Sequence, residues 1–248
     1  MTALLRLSRT ALPLLTALIA CALTGSAAAQ EPVKIGLSGP FTGGSSSMGV
    51  SMRDGVRLAT EEINAKGGID IGGVKRPILL VERDDQAKNT LGVQIASELI
   101  HDEKVIATIG YINTGVALSS QRLYQRAEIP VMNNVATGTL VTMQFDPPSY
   151  IFRNSCNDSI QSAMIVDEAI ARRGLKRVAI FADTTAYGFL GAADLMKALM
   201  ARDVIPVTVE KFNVKDTDMT AQLQSARDAG AEAIQSWLGL FEQGPGVG

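Results

Sequence analysis

Three residues stand where side chain and backbone could together hold a small charged molecule. Thr114 follows the apolar run 105–109 and opens a segment of helical character. A hydroxyl beside the free N–H groups of a helix start suits a carboxylate. The same placement suits an ordinary N-cap, and the residues alone favour the cap. Thr137, in the run NNVATGTLVT, follows a strand expected at 129–132. Its hydroxyl and the backbone around Val135 could accept from an ammonium group and donate to a carboxylate, or could stabilise a turn. Tyr187, in DTTAYG, opens a further helix. Its ring offers one apolar face and one hydroxyl to a ligand, or packs on a sheet.

Other chemistry finds less support. His101 is the single histidine and stands between Ile100 and Asp102 at a polar helix end, so it reads as a solvated helix residue. No Ser/His/Asp set assembles around it. Asp84 and Asp85 are adjacent, but no third ligand is spaced to complete a metal site, and they read as residues that cap a helix or hold a strand end. Gly43 and Gly44 lie in a loop without the G-x-G-x-x-G spacing of a dinucleotide site. An α/β enzyme acting on a small molecule is therefore the second reading, and no metal or cofactor is implied.

The elements that must position these residues follow one pattern. Residues 33–37 alternate as a strand, a Gly/Ser-rich loop follows, and Val56, Ala59 and Ile63 share one face of a helix. Strands are then expected at 77–83, 105–109 and 129–132, with helices at 91–102 and from Asn113–Thr114 to about 126. Strands that alternate with helices argue a parallel sheet covered on both faces, with ligands bound at the carboxyl ends of the strands. Pro147–Pro148 marks a boundary, and residues 150–153 read as a short crossover strand. A second series follows: helices at 159–173, 187–201 and 217–229, and strands at 177–182, 205–212 and 233–236.

The chain has 248 residues, 46% hydrophobic and 19% charged, with a formal charge of −2. It can bury a core, and it lacks the basic footprint usual for nucleic-acid binding. Residues 1–29 read as a signal peptide: Arg6 and Arg9, an apolar stretch, then Ala27–Ala28–Ala29. A competing reading places a lipid anchor at Cys21. Once the leader is removed, Cys156 has no partner for an intramolecular disulfide and reads as a small, partly buried residue. Residues 237–248, rich in glycine, neither continue the sheet nor cap it, and suggest a chain cut short, with a frameshift near Trp237.

In order along the chain come VKIGLSGPFTG, EEINAKGGI, the DD after the second strand, the IG ending the third, and FADTTAYG. This ordered set resembles the Leu/Ile/Val-binding protein family, the extracytoplasmic solute receptors of branched-chain amino acid ABC transporters. The resemblance implies an α/β type I periplasmic-binding-protein fold of two doubly wound parallel-sheet lobes, the second incomplete. The organisation becomes signal peptide 1–29, lobe 1 at 30–148, partial lobe 2 at 149–236 and an atypical tail at 237–248. It also implies capture of a small amino acid or related carboxylate between the lobes, delivery to a membrane ABC permease, a periplasmic location and no catalysis. By family position, Thr114 meets the ligand carboxylate and Thr137 the amino acid head. Tyr187 closes from lobe 2, and Met48 replaces an aromatic wall. Asn133–Asn134 depart from the family pattern beside Val135. The family's lobe 2 carboxylate falls beyond Gly248, and Glu242 does not replace it. A non-functional truncated receptor is the remaining alternative.

Overall fold

In a computed structural model, residues 30–238 are described. The leader, Cys21 and the tail from 239 onward, Glu242 included, lie outside the described residues.

The first unit is a parallel sheet. Its strands are β1 (Val33–Gly39), β4 (Ile78–Asp84), β5 (Ala107–Ile109), β6 (Val131–Asn133) and β7 (Ile151–Arg153), in the spatial order β4-β1-β5-β6-β7. Between β1 and β4 lie α1 (Ser46–Ala65) and an antiparallel hairpin, β2 (Ile69–Ile71) with β3 (Val74–Arg76). Then α2 (Asn89–His101), α3 (Thr114–Ala127) and the short α4 (Leu140–Met143) connect the later strands. Two clusters explain the layering. Leu37, Met52 and Ile112 pack with Phe41 and Val56 beneath α1. Ala96, Ile100, Tyr111, Val116, Tyr124, Val131 and Ile151 fill the layer beneath α2 and α3.

The second unit has β8 (Val178–Asp183) at its centre, flanked by β10 (Ala233–Trp237) and β9 (Thr208–Phe212), all parallel. Every residue of β8 is buried, and its pleat sends successive side chains to opposite faces. Val178 and Ile180 pack with Val166, Leu195, Leu199 and Trp237, on the side of α5 (Asp158–Val166) and α6 (Ala186–Met200). Ala179 and Phe181 pack with Ala226 of α7 (Thr220–Asp228) on the other. Among the described residues, no helix is long and apolar enough to cross a membrane.

Several expectations need correction. Residues 151–153 do not lie beyond the boundary at 148: Val131 pairs with Ile151 and Asn133 with Arg153, so this strand completes the first sheet. The proline pair ends a loop but does not mark where sheet membership changes. Trp237 is no part of a loose tail, because it pairs with Ala182 and is 3% exposed. Cys156 is exposed, since the turn between β7 and α5 places it on the surface. The glycine-rich segment at 67–73 is a hairpin turned at Gly72 and Gly73, both at positive φ. The helix expected at 159–173 is α-helical only to Val166 and continues as a wider π turn over Asp167–Arg172. The strand expected from 205 starts at Thr208, and Ile205 is 79% exposed.

Candidate ligand-binding cleft

The carboxyl ends of both sheets face a cleft of about 630 Å³. All five residues singled out from the sequence, Met48, Thr114, Val135, Thr137 and Tyr187, line it. The first four come from the first unit and Tyr187 from the second.

Thr114 is the first residue of α3 and is 1% exposed. The N-cap is Asn113, whose side chain makes no capping bond to α3; its Nδ2 donates to Ser45 Oγ at 3.3 Å. The first N–H groups of α3 thus lack a side-chain acceptor of their own. Thr114 Oγ1 accepts from Gly138 N at 3.3 Å, which ties the helix start to the Thr137 loop and leaves the hydroxyl proton to donate. Val135 and Ala136 donate their N–H groups to Tyr111 O at 3.4 and 3.0 Å. The Thr137 carbonyl accepts from Arg153 Nη1 at 3.0 Å and from Asp158 N at 3.0 Å, which fixes its backbone.

Tyr187 follows a helix start that caps itself: Thr185 Oγ1 accepts from Gly188 N at 3.4 Å. The Tyr187 ring lies 5.8 Å from that of Trp237, tilted by 47°. Burial raises the pKa of its hydroxyl, and the charges of Asp158 and Asp183 add to the rise against hydrogen bonding with Thr137. The phenol therefore stays a neutral donor. Met48 packs with Leu37, Met52 and Ile112, and with Val135 it gives the cleft an apolar wall.

Residues missed by sequence reasoning include Lys88, Asn89 and Thr90 at the start of α2, Ile112 and Asn113 before α3, and Gln161 on α5. Their common signal is a place just after a strand, where an open α/β sheet binds ligands. Asp84 and Asp85 are not among the lining residues. Asp84 accepts from Phe41 N at 2.8 Å and Thr42 Oγ1 at 2.5 Å, bonding that outweighs its burial and lowers its pKa. Asp85 is fully buried, accepts from Ser38 Oγ at 3.2 Å and Ala87 N at 3.0 Å, and is pushed up to about 6 by burial. Both hold loops beside the cleft. Among the described residues no group of three or more His, Cys, Asp or Glu side chains could hold a metal. His101 is exposed at the end of α2.

The strand ends of two parallel-sheet units open onto one cleft, the place where open α/β sheets bind ligands. The chain belongs to the periplasmic binding protein family, whose model matches residues 32–240. An amino acid binding protein of Pseudomonas aeruginosa is 30% identical over 207 residues, which are 83% of this chain and 54% of that relative. Two solved structures are also similar. The periplasmic binding protein type 1 of Bordetella pertussis has a TM-score of 0.72 at 28% identity, over 83% of this chain and 55% of that one. An ABC-transporter solute binding protein of Rhodopseudomonas palustris, in complex with 3,4-dihydroxybenzoic acid, has a TM-score of 0.69 at 28% identity, over 84% and 54%. The fold is the type I periplasmic-binding fold. The chain spans about half the length of the relatives it matches.

Proposed function

We propose that this chain carries the capture cleft of an exported solute receptor, which takes a small amino acid or related carboxylate and hands it to a membrane ABC permease. One observation carries the reading: the side-chain-uncapped start of α3, with buried Thr114, opens into a cleft between two sheets. Free N–H groups and a hydroxyl there favour a carboxylate. Thr137 and the backbone at Val135 receive the neighbouring polar group. Met48 and Val135 accept the apolar part, and Tyr187 approaches from the second unit. Ligand binding stabilises the closed arrangement by its differential affinity for it. The leader reading supports export to the periplasm, and no catalysed reaction is proposed.

The relatives support a carboxylate but differ in the rest of the molecule, since one is named for amino acids and another holds a dihydroxybenzoate. A thermal-shift screen of aliphatic amino acids and hydroxybenzoates, followed by calorimetry on each hit, tests the reading. At least one carboxylate should raise the melting temperature, and its methyl ester or amide should not. Equal shifts from a carboxylate and its ester would overturn the assignment of the α3 start.

A further inference from the structure

Behind the cleft, one acidic residue links the two units through its backbone. Asp158, the first residue of α5, has no exposed surface. Its N–H holds the Thr137 carbonyl at 3.0 Å, and Gln161 Nε2 lies 3.5 Å from its Oδ1. Its Oδ2 has no hydrogen-bond partner among the described residues. The same is true of Nε1 of Trp237, buried at the end of β10. A buried carboxylate oxygen and a buried indole N–H are each costly to leave unpaired. The Thr137 and Trp237 side chains nonetheless lie near enough to favour the charged form of Asp158, without closing a bond of ordinary length to Oδ2. Tyr187 stacks at a tilt on Trp237 and feels both Asp158 and Thr137.

We propose that Asp158 is a positioning residue of the cleft: its carboxylate orients the Thr137 hydroxyl and the Tyr187–Trp237 pair, and so sets how the two units meet around a ligand. The cleft's role rests on the function proposed above, but the array itself needs no ligand. The groups that face Asp158 are Arg153 on β7, with Asp194 and Tyr187 on α6; Lys197 lies 3.7 Å from Asp194. Burial pushes Asp158 up to about 6. Thr137, Arg153 and Trp237 favour its charge, and Asp194 opposes it. The array therefore gains its negative charge as pH rises through about 6.

Trp237 is the only tryptophan of the chain, so its emission reports on this array directly. In ligand-free protein, the emission should titrate with a midpoint near 6. Asp158→Asn should abolish that transition. Thr137→Val should move the midpoint upward, because it removes a hydroxyl that favours the charge. Asp85→Asn, which alters the other carboxylate raised to about 6, should leave the transition in place. A transition that persists in folded Asp158→Asn, or that disappears with Asp85→Asn, would overturn the proposal. If Asp158→Asn does not fold by circular dichroism, the Thr137→Val midpoint decides, and an unmoved midpoint refutes the array. No ligand is added, so this experiment can fail while the binding reading stands, and the reverse.

Discussion

The helices that reach the cleft from the first unit begin differently from those of the second. α1, α2 and α3 start at Ser45, Lys88 and Asn113, and none of these side chains accepts an N–H of its own helix. α5 and α6 start at Asn157 and Thr185, and both do, from Ile160 N at 2.9 Å and Gly188 N at 3.4 Å. A capped start has one donor already satisfied, whereas an uncapped one keeps its donors for water or a ligand. Buried polar residues do not follow this division: Ser38, Asp85, Thr108, Thr114, Ser120, Gln121 and Asn133 lie in the first unit, and Asp158, Ser162, Asp183, Asp194 and Gln235 in the second. The two units share one strand-loop-helix plan, but among the described residues the helix starts of the first lack the side-chain cap that α5 and α6 of the second carry.

The comparison breaks most severely at the helix-start glycines. A Cβ on Gly188 would stand 2.2 Å from the Asp183 carbonyl oxygen, which is backbone and cannot swing aside. A Cβ on Gly115 would stand 2.8 Å from Asn89 Oδ1, the end of a side chain that can turn away. Gly188→Ala should therefore cost about 3 kcal/mol of stability. Gly115→Ala should stay within about 1 kcal/mol of wild type, helped by the better helix propensity of alanine. Urea unfolding of both variants checks this, and equal losses would mean that the two helix starts are equally tight.

The next contrast concerns binding. Under the proposed function, Thr114→Ala should weaken the calorimetric affinity for a carboxylate hit by about 1–3 kcal/mol, as a buried acceptor loses its donor. Thr185→Ala should instead lower stability by about 0.5–2 kcal/mol, the usual cost of an N-cap, with affinity changed far less. If Thr185→Ala costs as much affinity as Thr114→Ala, the assignment of ligand donors to the first unit is wrong.

The plan of strands and helices was legible in its longer elements: on α1 Val56 and Ile63 of the expected face are partly buried, although Ala59 is exposed, and β8 shows as an apolar run from Val178 to Ala182. The cleft lining was legible in part, because Thr114, Thr137 and Tyr187 each follow a strand and sheet ligands gather there. What the residues could not reveal depends on partners distant in sequence. Membership of β7 in the first sheet follows from its pairing with β6, which a three-residue strand cannot announce. Trp237 opens a glycine-rich stretch and reads as tail by composition, yet Gly191 gives its indole a seat on α6 that only the folded chain creates. Asp158 looks like an ordinary first-turn acid, and its burial arises because the Thr137 loop and α6 close over it.

The smallest expected effect contrasts the two raised carboxylates. Asp85 lies within the first unit, bonded to Ser38 and Ala87, whereas Asp158 lies where the units meet. An unfolded aspartate titrates near 3.9, and burial pushes Asp85 up to about 6 in the fold. The folded state therefore binds this proton more tightly. Its contribution to stability is full below about pH 4 and is lost as pH rises through about 6. Asp85→Asn keeps an acceptor for Ala87 N and removes the titration. Relative to wild type, the variant should gain about 1–2 kcal/mol at pH 7.5 over its standing at pH 4.5. Asp158 contributes a slope of the same sign, so some pH dependence should survive in the variant. Guanidinium unfolding at the two pH values measures the difference. A gain that vanishes would mean that Ser38 and Ala87 already compensate the buried charge, and the pH response of the fold would then lie with the junction carboxylate.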